Sequence, residues 1–412
     1  MLRLLFLFYF IINSSFSLAQ ENWQIKTSGA VTAKPVVFDN LLYIASGKAL
    51  LVTTMSGKEV WQYQLSSDTY STPLVTSEVI YLLANDGLHA INHHGKRLWT
   101  FATVDSEPTF NGKSWGWEDK QYNDHWAWYR SSPIKIGENI IFANANGTYS
   151  INAATGTQKW HQNTGVTHTK PAADKNTIVV GSWDNNLYGL DQNSGEIKWQ
   201  FTGRVPEGVS ASWDGWKGFD LDPLIHKDIV YVGSRGSYFY AIKVATGEEI
   251  WSSQYANTWI GSPAIESDGI IYFGTSDGYS LVGLHARKGS QTLLYLNDFY
   301  NFAQPQANRD FVFYGSVSGK VYAVNKNTQQ GQVLFSTEQS LKNYTDIVMT
   351  EGGLKRLYSD GDKYSHKTAV RDIKRMKNGL DSILSMTLNG NTLYLGSANG
   401  NVYAIDISNI YG

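Results

Sequence analysis

The chain of 412 residues carries 34 basic and 36 acidic side chains, a net charge of −2 at pH 7, and no cysteine. The near-neutral charge argues against bulk nucleic-acid binding, which needs a strongly basic face. Without cysteine we expect no disulfide, no thiolate metal site, no covalently attached haem and no lipid-modified N-terminal cysteine.

The first 19 residues have the pattern of a secretory signal peptide. Arg3 precedes the apolar stretch LLFLFYFII, and a small-residue end follows at Ser17-Leu18-Ala19. An uncleaved anchor is the alternative, but the apolar run is short for a membrane span, and we expect no later transmembrane segment. We therefore predict export, with a mature chain that begins near Gln20 and is periplasmic or secreted.

From residue 20 onward, one unit of roughly 40 residues recurs. Each copy joins an apolar strand, such as LYIAS from Leu42 or VYVGS from Val230, to a Gly-xxx-Trp segment. These segments are GKEVW to Trp61, GKRLW to Trp99, GTQKW to Trp160, GEIKW to Trp199 and GEEIW to Trp251, with GQVLF at Phe335. Short strands at this period, separated by turn signals, predict the blades of a β-propeller.

Eight copies can be counted, and the eighth ends without the outer strand that carries Trp in the others. The segment ENWQIKTSG around Trp23 matches an outer strand that has no blade of its own. Joining it to the last blade removes the free edges of an open array. We therefore predict an all-β, eight-bladed propeller of four-stranded antiparallel blades, one domain over residues 20–412 and a monomer, with its ring closed by the N-terminal strand.

Three long insertions interrupt the repeats, near residues 104–130, 204–220 and 337–381. All three fall in loops that lead from the outer strand of one blade to the inner strand of the next, which lie on one face around the channel mouth. Long loops clustered on one rim of a rigid scaffold usually bind something. We therefore predict a ligand site on this rim.

The first two insertions are rich in tryptophan. We predict that a ligand contacts Trp115, Trp117, Trp126, Trp128, Tyr129, Trp213 and Trp216. As an aromatic platform, such rings would suit sugars or a hydrophobic peptide. The alternative is that the rings pack on one another and fill the channel.

Titratable residues recur three positions before the proline that opens a unit, where the inner strand enters the channel. Four neighbouring units place Tyr70, Arg130, His168 and Asp220 there, and the other four place Thr32, Ile260, Phe302 and, by length alone, Ser382. These four titratable groups would suit acid–base chemistry on an anionic substrate and are the catalytic candidates if the protein is an enzyme. The alternative is a wet channel lined by polar side chains.

A hard cation could take ligands from Asp119, Asp124, His125, Asp214 and Asp222, but their spacing matches no compact metal loop, so we predict no metal site. The third insertion contains a basic segment with Lys363, Lys367, Arg371, Lys374, Arg375 and Lys377. Val370, Ile373 and Met376 recur there as in a short helix. This is either a solvated surface helix or a contact for an anionic polymer, an acidic protein surface or lipid headgroups.

The repeats resemble the pyrroloquinoline-quinone-like propeller family, whose repeat closes with Ala-x-Asp-x-x-Thr-Gly-x-x-x-Trp. YAIKVATGEEIW, ending at Trp251, matches with Lys243 in place of the acid, and INAATGTQKW has Asn152 there. YGLDQNSGEIKW keeps Asp191 but has Ser194 for Thr. The resemblance implies the fold for essentially the whole mature chain. It implies several functions, because the family includes quinone-dependent dehydrogenases, BamB-type outer-membrane assembly lipoproteins and binding proteins.

Three functions therefore remain open. We predict an exported, non-catalytic propeller that binds a protein or polysaccharide ligand on its rim and resembles the BamB type. The second hypothesis is a lyase or hydrolase that acts on an anionic polysaccharide, with Tyr70, Arg130 and His168 near the reacting sugar. The third is a small soluble dehydrogenase, which the lack of a cysteine pair or haem domain disfavours. No cofactor is expected, although pyrroloquinoline quinone and a divalent cation stay open.

Overall fold

The eight repeats fold into eight four-stranded antiparallel sheets arranged as a ring. The computed structural model describes residues 20–205, 217–255, 258–355 and 365–411. The ring-closing strand is β1 (Gln20–Lys26). The first blade contains β2 (Val36–Phe38), β3 (Leu41–Ser46), β4 (Ala49–Thr54) and β5 (Glu59–Gln64), and the second contains β6 (Leu74–Val75), β7 (Val79–Ala84), β8 (Gly87–Asn92) and β9 (Arg97–Ala102). After the insertion strands β10 (Thr109–Asn111) and β11 (Gln121–Asn123), the third blade contains β12 (Ile134–Ile136), β13 (Asn139–Asn144), β14 (Gly147–Asn152) and β15 (Gln158–Gln162), and the fourth contains β16 (Ala172–Ala173), β17 (Thr177–Gly181), β18 (Asn186–Asp191) and β19 (Ile197–Thr202).

The remaining blades follow the same plan. Their strands are β20 (Leu224–His226), β21 (Ile229–Gly233), β22 (Tyr238–Lys243), β23 (Glu249–Gln254); β24 (Ile265–Ser267), β25 (Ile270–Gly274), β26 (Ser280–His285), β27 (Gln291–Leu296); β28 (Gln306–Ala307), β29 (Phe311–Gly315), β30 (Lys320–Asn325), β31 (Gly331–Ser336); and β32 (Ile383–Asn389), β33 (Thr392–Ser397), β34 (Asn401–Asp406). The helices are α1 (Glu338–Ile347) and α2 (His366–Gly379), with short 3-10 turns at Gly112–Trp115 and Ser408–Tyr411.

The ring closes as the sequence predicts. Strand β1 pairs antiparallel with β34, so the N-terminal strand is the outer strand of the eighth blade. The Trp23 ring lies 6.0 Å from that of Tyr394, and its indole N–H donates to the carbonyl of Met55 at 2.9 Å. Trp23 therefore joins the eighth blade to the first.

The second and third strands of each blade are apolar on both faces because neighbouring blades cover both sides. Strand β3, for example, is buried at five of its six positions, whereas the outer strand β5 has no buried position. This explains why the repeats contain continuous apolar runs rather than alternating ones.

The Gly and Trp of the repeated motif meet across blades. A Cβ on Gly247 would lie 2.7 Å from the ring of Trp199, which belongs to the preceding blade, and Gly289 receives Trp251 in the same way. The indole of Trp199 also donates to the carbonyl of Val244 at 2.8 Å. Each glycine therefore provides the flat surface on which the preceding tryptophan packs, and the motif holds adjacent blades together.

The insertions extend the face reached by the loops between successive blades. The first contains the hairpin β10–β11, and the third contains α1, capped by Thr337, and α2, whose capping box is formed by Ser365 and Thr368. Within the described part of the chain, no helix is both long enough and apolar enough to cross a membrane. The expected signal peptide, residues 1–19, and most of the second insertion, residues 206–216, lie outside the described residues.

Candidate functional site

The aromatic segment of the first insertion packs inward over the channel mouth. Trp126 and Trp128 stack with ring centroids 5.7 Å apart, and Trp128, which is 6% exposed, meets Phe302 edge-on at 5.1 Å. Trp126 also contacts Tyr300 at 5.5 Å and Trp259 at 6.3 Å. These two predicted ligand-binding residues thus belong to a packed aromatic cluster, and of the two only Trp126 stays half-buried.

The third insertion covers the same cluster from above. Met376 and Ile373 of α2 are buried with Ile347 of α1 against Trp128. The ammonium of Lys377 lies 4.3 Å from the ring centroid of Trp128, and burial lowers its pKa to about 8. We call this assembly, comprising the hairpin β10–β11, residues 124–130, α1 and α2, the rim layer. It is a folded layer, and the helix predicted from the spacing of its apolar residues is part of it.

A second group of aromatic rings lies where the hairpin meets the start of α2. The ring of His366 lies 4.5 Å from Tyr122, 5.6 Å from Trp117 and 5.1 Å from His125. The Nε2 atoms of His125 and His366, 241 residues apart in the chain, are 3.2 Å apart. Burial and the neighbouring His125 lower the pKa of His366. All four side chains are half-buried, and we call them the aromatic–histidine patch.

Two of the four catalytic candidates, Arg130 and His168, contact Asp105, a residue that the sequence patterns did not single out. His168 Nε2 lies 3.0 Å from Asp105 Oδ1, and Arg130 Nε lies 3.5 Å from Asp105 Oδ2. The guanidinium of Arg130 also lies 5.5 Å from the ring centroid of Tyr70. The inner-strand positions of neighbouring blades therefore bring Tyr70, Arg130 and His168 together.

Burial and the neighbouring charges determine the protonation states of His168 and Asp105. Burial lowers the pKa of His168, which is 2% exposed, despite the hydrogen bond to Asp105. Burial alone would raise the pKa of Asp105, but His168, the backbone N–H of Ala145 and the charge of Arg130 hold that pKa below its usual value. A neutral imidazole therefore donates from Nε2 to an ionised carboxylate. Within the described residues its Nδ1 atom has no hydrogen-bond partner.

Asp220 belongs to a different network. The buried guanidinium of Arg235 donates from Nε to Asp220 and from Nη1 to Asp124, both at 2.6 Å. Its carbon lies 4.3 Å from the ring centroid of Trp183 and 4.9 Å from that of Trp259. Arg235 thus attaches the first and second insertions to the fifth blade. The sequence analysis did not identify Arg235. Its signal is the turn SRGS, where arginine occupies the position that holds a small apolar residue in the corresponding turns SANG and SVSG of other repeats.

The channel beneath the rim layer is narrow. The cavity on the insertion side has a volume of about 30 Å³, and Tyr70, Arg130 and Asp220 are among its lining residues. Such a space holds about one water molecule. Lys34, Asp222 and Gln304 line both this cavity and a wider groove of about 660 Å³ at the opposite mouth. These three side chains form the waist of the channel.

A family model described as "Outer membrane protein assembly factor BamB" matches residues 16–115, 116–332 and 212–409. The chain belongs to this BamB family. Among solved structures, BamB from Moraxella catarrhalis is similar with a TM-score of 0.65 and 16% identity, over 94% of this chain and 100% of that one. A quinohemoprotein alcohol dehydrogenase, ADHIIG from Pseudomonas putida HK5, has a TM-score of 0.62 and 12% identity, over 95% of this chain and 76% of that one. At these identities the two likenesses show the shared propeller fold.

Similarity to individual protein sequences is partial. Tetrathionate hydrolase of Acidithiobacillus ferrooxidans is 26% identical over 141 residues, 33% of this chain, and quinoprotein ethanol dehydrogenase of Pseudomonas putida is 31% identical over 97 residues, 23% of this chain. The matches span 26% and 14% of the lengths of these relatives. Matches of this extent do not carry the activities of those enzymes over to this chain.

Pyrroloquinoline quinone does not fit the insertion-side cavity. It is a flat, three-ring tricarboxylate, and ligand pockets for molecules of drug size have volumes of about 300 Å³ or more, whereas this cavity has about 30 Å³. The wider groove has the volume, but among the described residues that line it none is aromatic, so it offers no ring on which a planar quinone could stack. We therefore derive no chemistry through this cofactor.

The groups considered for a cation have other partners. Asp124 binds Arg235, His125 contacts His366, and Asp119 accepts a hydrogen bond from Asn111. In the described parts of the chain, no three His, Asp or Glu side chains cluster closely enough to hold a metal ion. Asp214 lies outside these parts, as do Lys363, Trp213, Trp216 and the side chain of Trp115.

The remaining predicted residues lie within or at the edge of the rim layer. Trp117 belongs to the half-buried aromatic–histidine patch, and Tyr129 lies on the channel side of the layer, where its hydroxyl donates to the carbonyl of Phe302. The structure thus brings Trp117, Trp126, Trp128 and Tyr129 into one layer. Asp220 lines the insertion-side cavity with Tyr70 and Arg130, but its carboxylate pairs with Arg235 rather than with the Asp105 group.

Proposed function

We propose that this BamB-family chain is an exported, non-catalytic scaffold that holds an acidic segment of a protein partner on its rim layer. The observation that carries the proposal is the packing of this layer: two insertions cover the channel mouth with a continuous aromatic and aliphatic cluster. An enzyme needs a cleft for its substrate, whereas the covered mouth leaves only an outer surface for recognition on this face. The family description supports a role in the assembly of outer-membrane proteins.

The outer surface of the layer has a suitable chemistry for such a partner. Lys367, Arg371 and Lys374 are exposed at successive turns of α2 and form one basic stripe. The half-buried rings of Trp117 and Trp126 lie in the same layer, and we propose that they contact the partner. Carboxylates on the partner would meet the basic stripe, while its apolar side chains would pack on the rings.

The same geometry disfavours a lyase or hydrolase. Proton transfer requires the catalytic group within about 3 Å of the reacting atom, and the imidazole of His168 is 2% exposed. We propose instead that Tyr70, Arg130, His168 and Asp220 are structural, since they and their partners Asp105 and Arg235 attach the first two insertions to the ring. A polysaccharide on the rim surface, without chemistry, is an outcome of the test below.

The test uses cells whose own copy of the gene is replaced by variants. Reversing two charges of the stripe, Lys367→Glu and Lys374→Glu, should lower the amount of folded outer-membrane β-barrel proteins, measured by heat-modifiable migration. The matched control is Lys96→Glu, which reverses an exposed lysine in a turn on the opposite face and should have no effect. Equal amounts of folded β-barrel proteins in cells that carry the stripe variant and in cells that carry Lys96→Glu would contradict the proposal, provided that both variant proteins accumulate normally.

A second measurement identifies what the surface contacts. A photo-activated cross-linking residue in place of Trp117 should yield a protein adduct, whereas the same residue in place of the exposed His94 should not. Charge reversal of the α2 stripe should reduce the yield of that adduct. Adducts to polysaccharide rather than protein, or none that depends on the stripe, would reject the protein partner.

A further inference from the structure

The opposite mouth of the channel contains a groove that the rim layer does not reach. It is bounded by the inner strands β12, β16 and β20 as they run away from the insertions, and it ends at the waist. Its volume of about 660 Å³ suffices for a small organic ligand. Its walls combine polar and apolar surface in about equal parts, and the apolar side chains include Ile134, Ile136, Pro171, Leu224, Ile225 and Ala264.

Two amines lie at the deep end of this groove. The ammonium of Lys34 donates to the side-chain carbonyl of Gln304. Within the described residues, the ammonium of Lys170 has no hydrogen-bond or ion-pair partner, although its backbone N–H donates to Asp222 at 2.7 Å. Burial and the charge of Lys170 lower the pKa of Lys34 to about 8. The two amines therefore lie close enough to repel one another.

The carboxylates that line the groove do not balance the charges of both ammonium groups, those of Lys34 and Lys170. Asp174 accepts hydrogen bonds from the backbone N–H groups of Asn176 and Thr177, at 3.0 and 2.7 Å. Among the described residues, Asp222 is the carboxylate beside Lys34 and Lys170, so this part of the deep end has two cations and one anion. A second anion there would relieve the repulsion and give Lys170 a partner.

We propose that this groove binds an organic carboxylate with an apolar body. The carboxylate lies between Lys34 and Lys170, and the body packs on the Ile, Pro, Ala and Leu side chains of the walls. Two sources carry this chemistry: a free medium-chain carboxylate, or the C-terminal end of an apolar peptide. The proposal is independent of the rim layer, because the groove opens on the other face.

The first experiment is calorimetric titration of the full mature protein with octanoate. One molecule should bind per chain, while octylammonium, which has the same body and the opposite charge, should not bind. Lys170→Met should weaken octanoate binding about tenfold to a hundredfold, because a hydrogen bond to a charged group is lost. The control, Lys175→Met, removes an exposed lysine outside the groove and should leave affinity unchanged. Binding that is absent, or equal in Lys170→Met and wild type, would overturn the proposal.

A second arm distinguishes the two sources. A hexapeptide of Ala, Leu and Val with a free C-terminus is compared with its C-terminal amide and with octanoate. Tighter binding of the free-acid peptide than of octanoate, with no binding of the amide, identifies a peptide terminus as the ligand. Binding of octanoate alone identifies a free carboxylate. Equal binding of the acid and the amide would show that the amines do not recognise a carboxylate, which rejects the proposal.

A third measurement needs no variant and so does not depend on folding of Lys170→Met. Acylation of individual lysines in the wild-type protein is followed by peptide mass spectrometry, with and without octanoate. Octanoate should slow modification of Lys170 at least severalfold and leave Lys175 unaffected. Equal rates at Lys170 with and without octanoate, at concentrations where it is bound by calorimetry, would place the ligand elsewhere and overturn the proposal.

Discussion

Two buried charged side chains, Arg235 and Asp105, attach the insertions to the propeller. Each contacts two charged or polar partners. Arg235 contacts Asp124 and Asp220, and Asp105 contacts His168 and Arg130. Removing one partner of a buried pair costs more than the pair itself contributes, because the other charge stays buried and unpaired. Single substitutions here should therefore have large effects.

Replacing Arg235 by methionine tests this at the first network. Arg235→Met leaves the carboxylates of Asp124 and Asp220 without their cation, and we expect the free energy of unfolding to fall by about 3–5 kcal/mol. Urea denaturation measures the change. Adding Asp124→Asn and Asp220→Asn should restore part of the loss, whereas Arg97→Met, at an exposed position of β9, should cost at most about 1 kcal/mol. A cost for Arg235→Met as small as that of the control would contradict the buried network.

His168 makes stability depend on pH in a defined direction. Its pKa is below the ordinary 6.5 in the folded protein, so protonation is harder in the folded state than in the unfolded state. The contribution of His168 to the free energy of unfolding is therefore fully present above pH 6.5 and is lost as the pH drops from 6.5 towards the folded pKa. Asp105 also has a lowered pKa, but its contribution is lost only in the acidic range below its ordinary 3.8.

The variant His168→Gln keeps an N–H donor for Asp105 but does not titrate. Between about pH 7 and pH 5 its loss of stability should be smaller than that of the wild type. Some slope should remain, because His366 also has a lowered pKa. His94→Gln, at an exposed position, serves as the control and should follow the wild type. Identical slopes for all three proteins would show that His168 is not buried in solution.

At the scale of the blade, one contact is repeated around the ring: a tryptophan of one blade packs on a glycine turn of the next. We expect Trp199→Ala to cost about 3–5 kcal/mol through the cavity it leaves. Gly247→Ala should also destabilise, because its Cβ would lie 2.7 Å from Trp199 and its φ is +74°. Gly269→Ala separates the two causes, since its φ is +78° with nothing within 4 Å. Equal costs at the two glycines, measured by denaturant unfolding, would mean that backbone strain alone is responsible.

Strand β1 is the other element whose role can be tested. A chain that begins at residue 29 lacks every ladder bond to β34 and the contact of Trp23 with Tyr394. The exposed edge of the eighth blade should then lower the melting temperature sharply and favour aggregation. Gln24→Ala, at an exposed position of the same strand, should melt as the wild type does. A deletion that melts with the wild type would show that the ring does not depend on this closure.

The sequence predicts the blades and their closure because the determinants are local and repeated. A glycine turn, a tryptophan and two apolar strands recur in fixed order, and Trp23 stands out as the copy without a blade. The rim layer has no such repetition. Its decisive contacts, such as His125 with His366 or Asp124 with Arg235, join distant segments with no periodic pattern. Aligned positions could group Tyr70, Arg130 and His168, but they could not show that Asp105 pairs with Arg130 and His168.

For the whole molecule, the two ends of the channel differ in physical character. The insertion side is covered by packed aromatic rings, and the opposite side is an open groove with lysines at its base. The waist of Lys34, Asp222 and Gln304 separates them. The rim layer and the groove are therefore independent surfaces of one scaffold, and removing one should leave the other intact.

Replacing the two helices tests whether the layer is an addition to a self-sufficient ring. The Thr337 hydroxyl donates to the carbonyl of Leu380 at 2.7 Å, so the ends of the insertion are adjacent and a short Gly/Ser linker can replace residues 338–379. The eight blades and their Trp–Gly contacts lie outside that segment, so the β-sheet circular dichroism should persist. Trp126 and Trp128 lose their cover, so acrylamide quenching of tryptophan fluorescence should increase. Leu341→Ala, on the exposed face of α1, should change neither signal. Loss of the β-sheet signal in the shortened protein would show instead that the layer is needed for the ring to fold.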